Sequence, residues 1–329
     1  MTTRRRHTLG LLAAALCAAH GATAWAQSPG WPQRAVRVVV PAAAGTAPDI
    51  MARLLGERLS RIWSQPVVVD NRPGAGGLVG MAAARNAPRD DHILVFSPAS
   101  VLTLSPYMYK TTQVDIVKDF TAVALVGISP MVAAVSAGSS ATSLADVIRA
   151  AKAQPDRFVI STTFQYSVPH LAVDMLSKAA GVPLRAVPYS NSGQSIAAVI
   201  SGDAQMLIDG VPPIDPMVKG GRLKPVAIFS EERLPNRGQL PTASETYPSL
   251  VINGWFGFLA PTGASAQAMA RVNSDLNAVV AQPDIVERMD AMGVYPRPLS
   301  QAQFADFLAK DRSRWEQVLR DVGAQPVAQ

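Results

Sequence analysis

The side chains best able to do chemistry fall in four short stretches. Ser161–His170 (STTFQYSVPH) crowds hydroxyls, an amide, a phenol and an imidazole into one segment. Ser97 and Ser100 close one apolar run, and Asp209 closes another just before Gly210. Asp49 ends the small-residue stretch Pro41–Asp49 (PAAAGTAPD). Hydroxyls and amides set beside backbone N–H groups can hold a carboxylate without a full countercharge, because its oxygens accept several hydrogen bonds. The same residue types also serve as ordinary helix caps. Acyl transfer would need a nucleophile, a base and an orienting acid. No GxSxG elbow occurs, and beyond the N-terminal region the histidines are His92 and His170, so a triad would have to come from scattered residues. With no HExxH and Cys17 as the single cysteine, neither a metal site nor thiol chemistry is expected, and no cofactor is implied.

Two glycine-bearing loops invite a nucleotide reading and fail it. In GAGGLVG (Gly74–Gly80), a dinucleotide fingerprint starting at Gly74 needs glycine where Val79 stands, and no acid follows at the required distance. These are expected to be tight-turn glycines. PAAAGTAPD lacks the GK[ST] ending of a phosphate loop. Two readings stay open for it: a simple strand-to-helix turn capped by Asp49, or a seat for a small anion built from free N–H groups and the helix dipole.

The elements around these stretches alternate. Val36–Val40 is a nearly pure β-branched run, which predicts a strand buried on both faces. Met51, Leu55, Leu59 and Ile62 follow at helical spacing with charges between them, predicting an amphipathic helix that starts at Asp49. Strands at 67–69 and 93–96 enclose a further helix. A second unit follows, with two strand-like pieces around Gly127–Pro130, strands at 158–161, 184–187, 205–208 and 225–229, and helices between. Such β-α alternation predicts α/β architecture with mostly parallel sheets. Ligands of open α/β sheets bind beyond the carboxyl ends of strands, where Ala42–Asp49, Ser97–Ser100, Thr162–Ser167 and Asp209 all fall.

The N-terminal region has a different character. Arg4–Arg6 precede the apolar Leu9–Ala19, which is too short to span a bilayer, and Ala24-Trp25-Ala26 fits a signal cleavage site before Gln27. Residues 1–26 therefore read as a secretory signal; the paired arginines leave the twin-arginine route open, but Thr8 stands where that signal prefers Phe, which favours the general route, and Leu16 before Cys17 argues against a lipid anchor. Its removal takes three arginines and no acid, halving the formal charge of +6. That balance does not suggest nucleic acid and mildly favours anionic small molecules.

The chain resembles the Bug-type extracytoplasmic solute receptors of tripartite tricarboxylate transporters. The resemblance covers essentially all of the chain beyond residue 26. It is carried by Pro41–Asp49 with Ala52-Arg53, by VVVDNRPGAGG (Val67–Gly77) and by Val117-Lys118-Asp119-Phe120. Pro169-His170-Leu171, Val187-Pro188-Tyr189, Leu240-Pro241-Thr242 with Glu245, Trp255-Phe256-Gly257 and Ala260-Pro261 continue it. It implies a two-lobed periplasmic-binding-protein fold (Venus flytrap, type II-like), with 27–127 and 228–329 as lobe 1 and 128–227 as lobe 2. It further implies a monomeric, non-enzymatic receptor in the periplasm that closes on a small carboxylate for membrane permease subunits, and the aromatic Phe164 and Tyr166 hint at an aromatic acid or a longer dicarboxylate. Presentation to a sensor kinase is the alternative, and an exported hydrolase a more distant one. By position it nominates Ala43, Gly45, Thr46, Asp49, Ser97 and Ser100 from lobe 1. From lobe 2 it nominates Thr162, Thr163, Gln165, Ser167, Tyr189 and Asp209. The chain departs from the family at Ala42, Ala44, Thr46, Phe164, Tyr166 and Ser190. Phe164 and Tyr166 would add aromatic contact to an apolar ligand body, and Thr46 would add a hydroxyl where the family has a second, conformationally permissive glycine.

Overall fold

Val36, Val38 and Val40 of strand β1 (Val36–Val40) join one apolar cluster, and Val39 joins another on the opposite face. This is the two-sided burial that the β-branched run predicts. The computed structural model describes residues 30–109, 114–163 and 167–324. The secretory-signal reading of residues 1–26 lies outside them. Helix α1 (Ala47–Trp63) buries Met51, Leu55 and Leu59 beside β1, but Ile62 is 41% exposed. Trp63 takes the last inward position and donates its indole N–H to Asp275 at 2.7 Å.

The remaining elements follow in order. β2 is Val67–Asn71, α2 Leu78–Arg85 and β3 Ile93–Pro98. Short helices α3 (Ala99–Thr103), α4 (Ser105–Met108) and α5 (Ile116–Asp119) lead into β4 (Phe120–Ser136). Next come α6 (Leu144–Ala153), β5 (Val159–Thr163), α7 (Val168–Ala180), β6 (Arg185–Tyr189), α8 (Ser192–Ser201), β7 (Met206–Gly210), α9 (Val211–Lys219) and β8 (Leu223–Ile228). The chain ends with β9 (Asn253–Pro261), α10 (Ala266–Val280), α11 (Pro283–Ala291), β10 (Tyr295–Pro296) and α12 (Gln301–Asp321).

The strands form one hydrogen-bonded path, β2-β1-β3-β9-β4-β7-β5-β6, with β8 and β10 also on β4. Parallel pairing joins β2, β1 and β3, and again β6, β5 and β7, while β4 and β9 run antiparallel to their neighbours. The fold is therefore two α/β lobes sharing one strand. Residues Phe120–Pro130 of β4 pair with β9, and Met131–Ser136 pair with β7 and β8.

Gly127–Pro130 does not break this strand, contrary to the sequence expectation. β4 runs 17 residues, with register shifts at Ala122/Ala124 and Leu125/Gly127. Gly127 is needed for close approach: a Cβ there would lie 2.5 Å from the Tyr295 carbonyl oxygen. The chain returns between the lobes at Phe229, whose N–H donates to Met131 O, and at Ile252, whose N–H donates to Phe229 O. Helix α12 touches both lobes, with Phe304 packed in a first-lobe cluster and Trp315 and Leu319 in a second-lobe one.

Candidate binding cleft

The β1–α1 loop is built around two residues. Gly45 has φ +79, which an L side chain rarely adopts. Thr46 is extended at φ −83, so it carries no conformational penalty where the resembled family has glycine. The helix starts at Ala47, earlier than the sequence suggested, because Pro48 fits its first turn. Asp49 is thus not the N-cap residue. Its Oδ2 accepts the Gly45 N–H at 2.8 Å and its Oδ1 accepts Arg53 Nε–H at 2.9 Å. Burial resists its ionisation, yet the Gly45 N–H, Arg53 and Asn71 together hold it below the usual carboxylate range. The anion at the start of α1 is the chain's own carboxylate, and the Gly45 N–H is already used.

Thr46, Ala47 and Pro48 nonetheless form one lip of a cavity of about 700 Å³. Its other walls bring Ser100 and Ser105 from the short helices after β3, Thr163 from the end of β5 and Ser167 just after it, Ser192 after β6, and Asp209 and Gly210 from the end of β7. Both lobes contribute through the carboxyl ends of parallel strands. Val101, Leu104, Met108, Met131 and Phe256 make an apolar band, with Tyr109 at its edge.

The electrostatics come from the backbone. Among the described residues, no Lys, Arg or His lines the cavity. Helices α7, α8 and α9 all begin on it, and none has an acidic residue in its first turn. Each such N-terminus carries roughly half a positive charge. Ser167 caps α7 by accepting the His170 N–H at 3.3 Å, and Asn191 caps α8 by accepting the Gln194 N–H at 3.0 Å. Asp209 is 7% exposed. Its Oδ1 accepts the Gly210 N–H at 2.7 Å, and its Oδ2 is buried with no hydrogen-bond partner. Burial pushes this carboxyl above its usual range, against the lowering effect of Ser192 and the Gly210 N–H.

The nominated residues divide. Thr46, Ser100, Thr163, Ser167 and Asp209 come together in the cleft. Ala43, Gly45, Asp49, Ser97, Thr162 and Tyr189 are not among its lining residues. Ala43 accepts the Thr46 hydroxyl at 2.6 Å, and Gly45 and Asp49 hold one another. Ser97 is fully buried, with its hydroxyl on Pro98 O at 3.1 Å. Thr162 turns towards His170 Nδ1 at 3.5 Å, and Tyr189 packs against the core below the sheet. Burial lowers the His170 pKa against the opposing pull of Asp174. Phe164 and Gln165, with Tyr166, lie outside the described residues. Sequence reasoning missed Ser105, Ser192, Gly76 and Tyr109. Ser192 had a readable signal, since it follows the end of a strand as the other cleft residues do.

No group of three or more His, Cys, Asp or Glu able to hold a metal occurs among the described residues, and no described helix is long and apolar enough to cross a membrane. Two α/β lobes with hydroxyls and helix N-termini meeting at their strand ends define a solute-binding protein. The chain belongs to the tripartite tricarboxylate transporter family receptors, whose model matches residues 51–324. It is 29% identical over 297 residues to BugT of Bordetella pertussis, covering 90% of this chain and 91% of that one. Among solved structures it superposes on an R. palustris protein with adipate at TM-score 0.78 and 27% identity, covering 90% of this chain and all of that one. It also matches MatC of Rhodopseudomonas palustris with bound malate at TM-score 0.71 and 26% identity, covering 88% of this chain and all of the other. The family is one of receptors.

Proposed function

We propose that this receptor captures a small dicarboxylate in the cleft between its lobes, in the periplasm, and delivers it to the membrane subunits of a tripartite tricarboxylate transporter. The observation that carries the reading is the meeting of three acid-free helix N-termini and the hydroxyls of Thr46, Ser100, Thr163, Ser167 and Ser192 in a cleft without a cation among its described lining residues. A carboxylate entering it exchanges water for the N–H donors of the helix termini and for hydroxyls, of which those of Thr46, Thr163 and Ser167 must turn from the partners they already hold. Each helix terminus contributes about 0.3–1 kcal/mol in exposed settings, and up to about 2 kcal/mol when partly buried. The apolar band of Val101, Leu104, Met108 and Met131 suits a methylene or ring body between two carboxylates. Adipate and malate in the relatives belong to that chemical class.

The lobes, taken as 27–127 with 228–329 and as 128–227, close about the two connections at β4 and Phe229–Ile252. Closure brings Thr46 and Ser100 of one lobe towards Thr163, Ser167 and Ser192 of the other, and excludes water from the carboxylate. Export would be directed by residues 1–26 and completed by their removal after Ala26.

The test is a thermal-shift panel of mono- and dicarboxylates, with adipate as the reference, followed by calorimetric titration. At least one dicarboxylate raises the melting temperature, and its diamide does not. A folded protein that no carboxylate stabilises at millimolar concentration would overturn the reading.

A further inference from the structure

Asp209 is out of place in a cleft that attracts anions. It lines the cavity, it is 7% exposed, and its Oδ2 is buried without a hydrogen bond of normal geometry, although the Ser192 hydroxyl is near enough to act on the carboxyl. A buried polar atom without a hydrogen bond is unfavourable, and a bound ligand is the natural source of the missing partner. The elements packed on β7 offer no countercharge. β4, β5 and α8 carry no ionisable residue. On α7, Lys178 is bound to Asp321, and His170 is held by Thr162 with Asp174 near it. On α9, Asp215 is bound to Arg237, and Lys219 lies at the far end of the helix from Asp209. Tyr109 is the other titratable group among the described lining residues.

An ionised Asp209, itself buried, and an ionised ligand carboxylate would therefore share one cavity with no Lys, Arg or His among its described lining residues. Two such carboxylates do not both ionise: one keeps a proton and donates it to the other. We propose that Asp209 binds the ligand in its protonated form, donating its carboxyl O–H to one ligand carboxylate, so that capture of a dicarboxylate takes up a proton from solvent. The inference rests on the carboxylate reading of the cleft. It makes Asp209 a specificity-determining residue that favours a carboxylate acceptor at this position over an amide N–H or an ammonium. Burial already moves the free carboxyl in the required direction.

The experiment titrates wild-type protein with adipate at fixed pH in buffers of different ionisation enthalpy, and repeats it from about pH 6.5, where both adipate carboxyls are ionised, to about pH 8.5. Wild type takes up close to one proton per adipate at the alkaline end. Its affinity falls up to about tenfold per pH unit above the free Asp209 pKa. Asp209→Asn keeps a hydrogen-bond donor and cannot ionise, so it binds adipate with affinity that is flat with pH and at least equals wild type at pH about 8. Affinity that is flat or rising with pH in wild type, without proton uptake, would overturn the inference and needs no variant. So would a uniform loss in Asp209→Asn, which would mark an ionised acceptor for a ligand donor. If wild type binds no carboxylate at any pH, it is the carboxylate reading itself that fails.

Discussion

Replacing Asp49 by alanine separates a loop clamp from a ligand contact. The carboxylate is 4% exposed and accepts the Gly45 N–H at 2.8 Å and Arg53 at 2.9 Å. The hydrogen bond to a buried charged group is worth about 1.5–3 kcal/mol. Arg53 is 54% exposed, so its ion pair adds less than about 1 kcal/mol. The negative charge at the start of α1 adds about 0.3–1 kcal/mol. These overlap, and a net loss of about 2–3 kcal/mol is expected, or about 4–6 °C in melting temperature for a chain of this size. Asp49→Asn keeps an acceptor for Gly45 and should lose about half as much. The sign with pH follows from the depressed pKa: the carboxylate's contribution is present above its unfolded value of 3.8 and disappears as pH falls below it. The difference between wild type and Asp49→Ala, followed by circular dichroism on heating, should therefore shrink in acid. A melting temperature within about 1 °C of wild type at neutral pH would refute the clamp. Unchanged stability with a large loss of adipate affinity would place Asp49 on the ligand.

Other perturbations read other parts of the account. Thr46→Val keeps the shape and the extended backbone but removes the hydroxyl that Ala43 O accepts, and should weaken adipate about fivefold, roughly 1 kcal/mol, while also costing up to about 1 kcal/mol of stability; unaltered calorimetric affinity would take Thr46 out of the site. Gly80→Ala should destabilise by about 1–3 kcal/mol, because its Cβ would lie 2.8 Å from the backbone of both Arg72 and Pro41. Gly138→Ala, with nothing within 4 Å of the new Cβ, is the control and should melt like wild type. Glu245 is held at about 2 by Arg233 and the Thr242 N–H. Its contribution is present above its unfolded value of 4.5 and is lost as pH falls towards 2, so Glu245→Gln should flatten the melting curve over that window. A slope equal to wild type would argue against the Arg233 pair.

Much of the architecture was readable because it follows from local pattern. The Val36–Val40 run meant two-sided burial, and the spacing of Met51, Leu55 and Leu59 meant a helix face. What pattern could not show was partnership across the chain. Asp49 looks the same in sequence whether it caps a helix or sits two positions past its first residue, and only the Gly45 contact distinguishes them. Thr162 and Thr163 are adjacent, yet successive strand residues face opposite sides, so one meets His170 and the other the cleft. The parity of that alternation is invisible without the neighbouring helix. β4 reads as two strands because glycine and proline normally interrupt, whereas here Gly127 admits Tyr295 and Pro130 sits where the strand changes partners. Ser105 and Tyr109 enter the cleft through the packing of short helices after β3, which no spacing rule announces.

The most direct test of the central claim is a crystal structure of the receptor with the dicarboxylate it binds most tightly. The expected complex seats one carboxylate against the N-termini of α7, α8 and α9 and the hydroxyls of Thr163, Ser167 and Ser192, with no Lys or Arg nitrogen within about 4 Å of its oxygens. A ligand held by a basic side chain, or bound in the groove that Asp174, Lys178 and Asp321 form between α7 and α12, would contradict it.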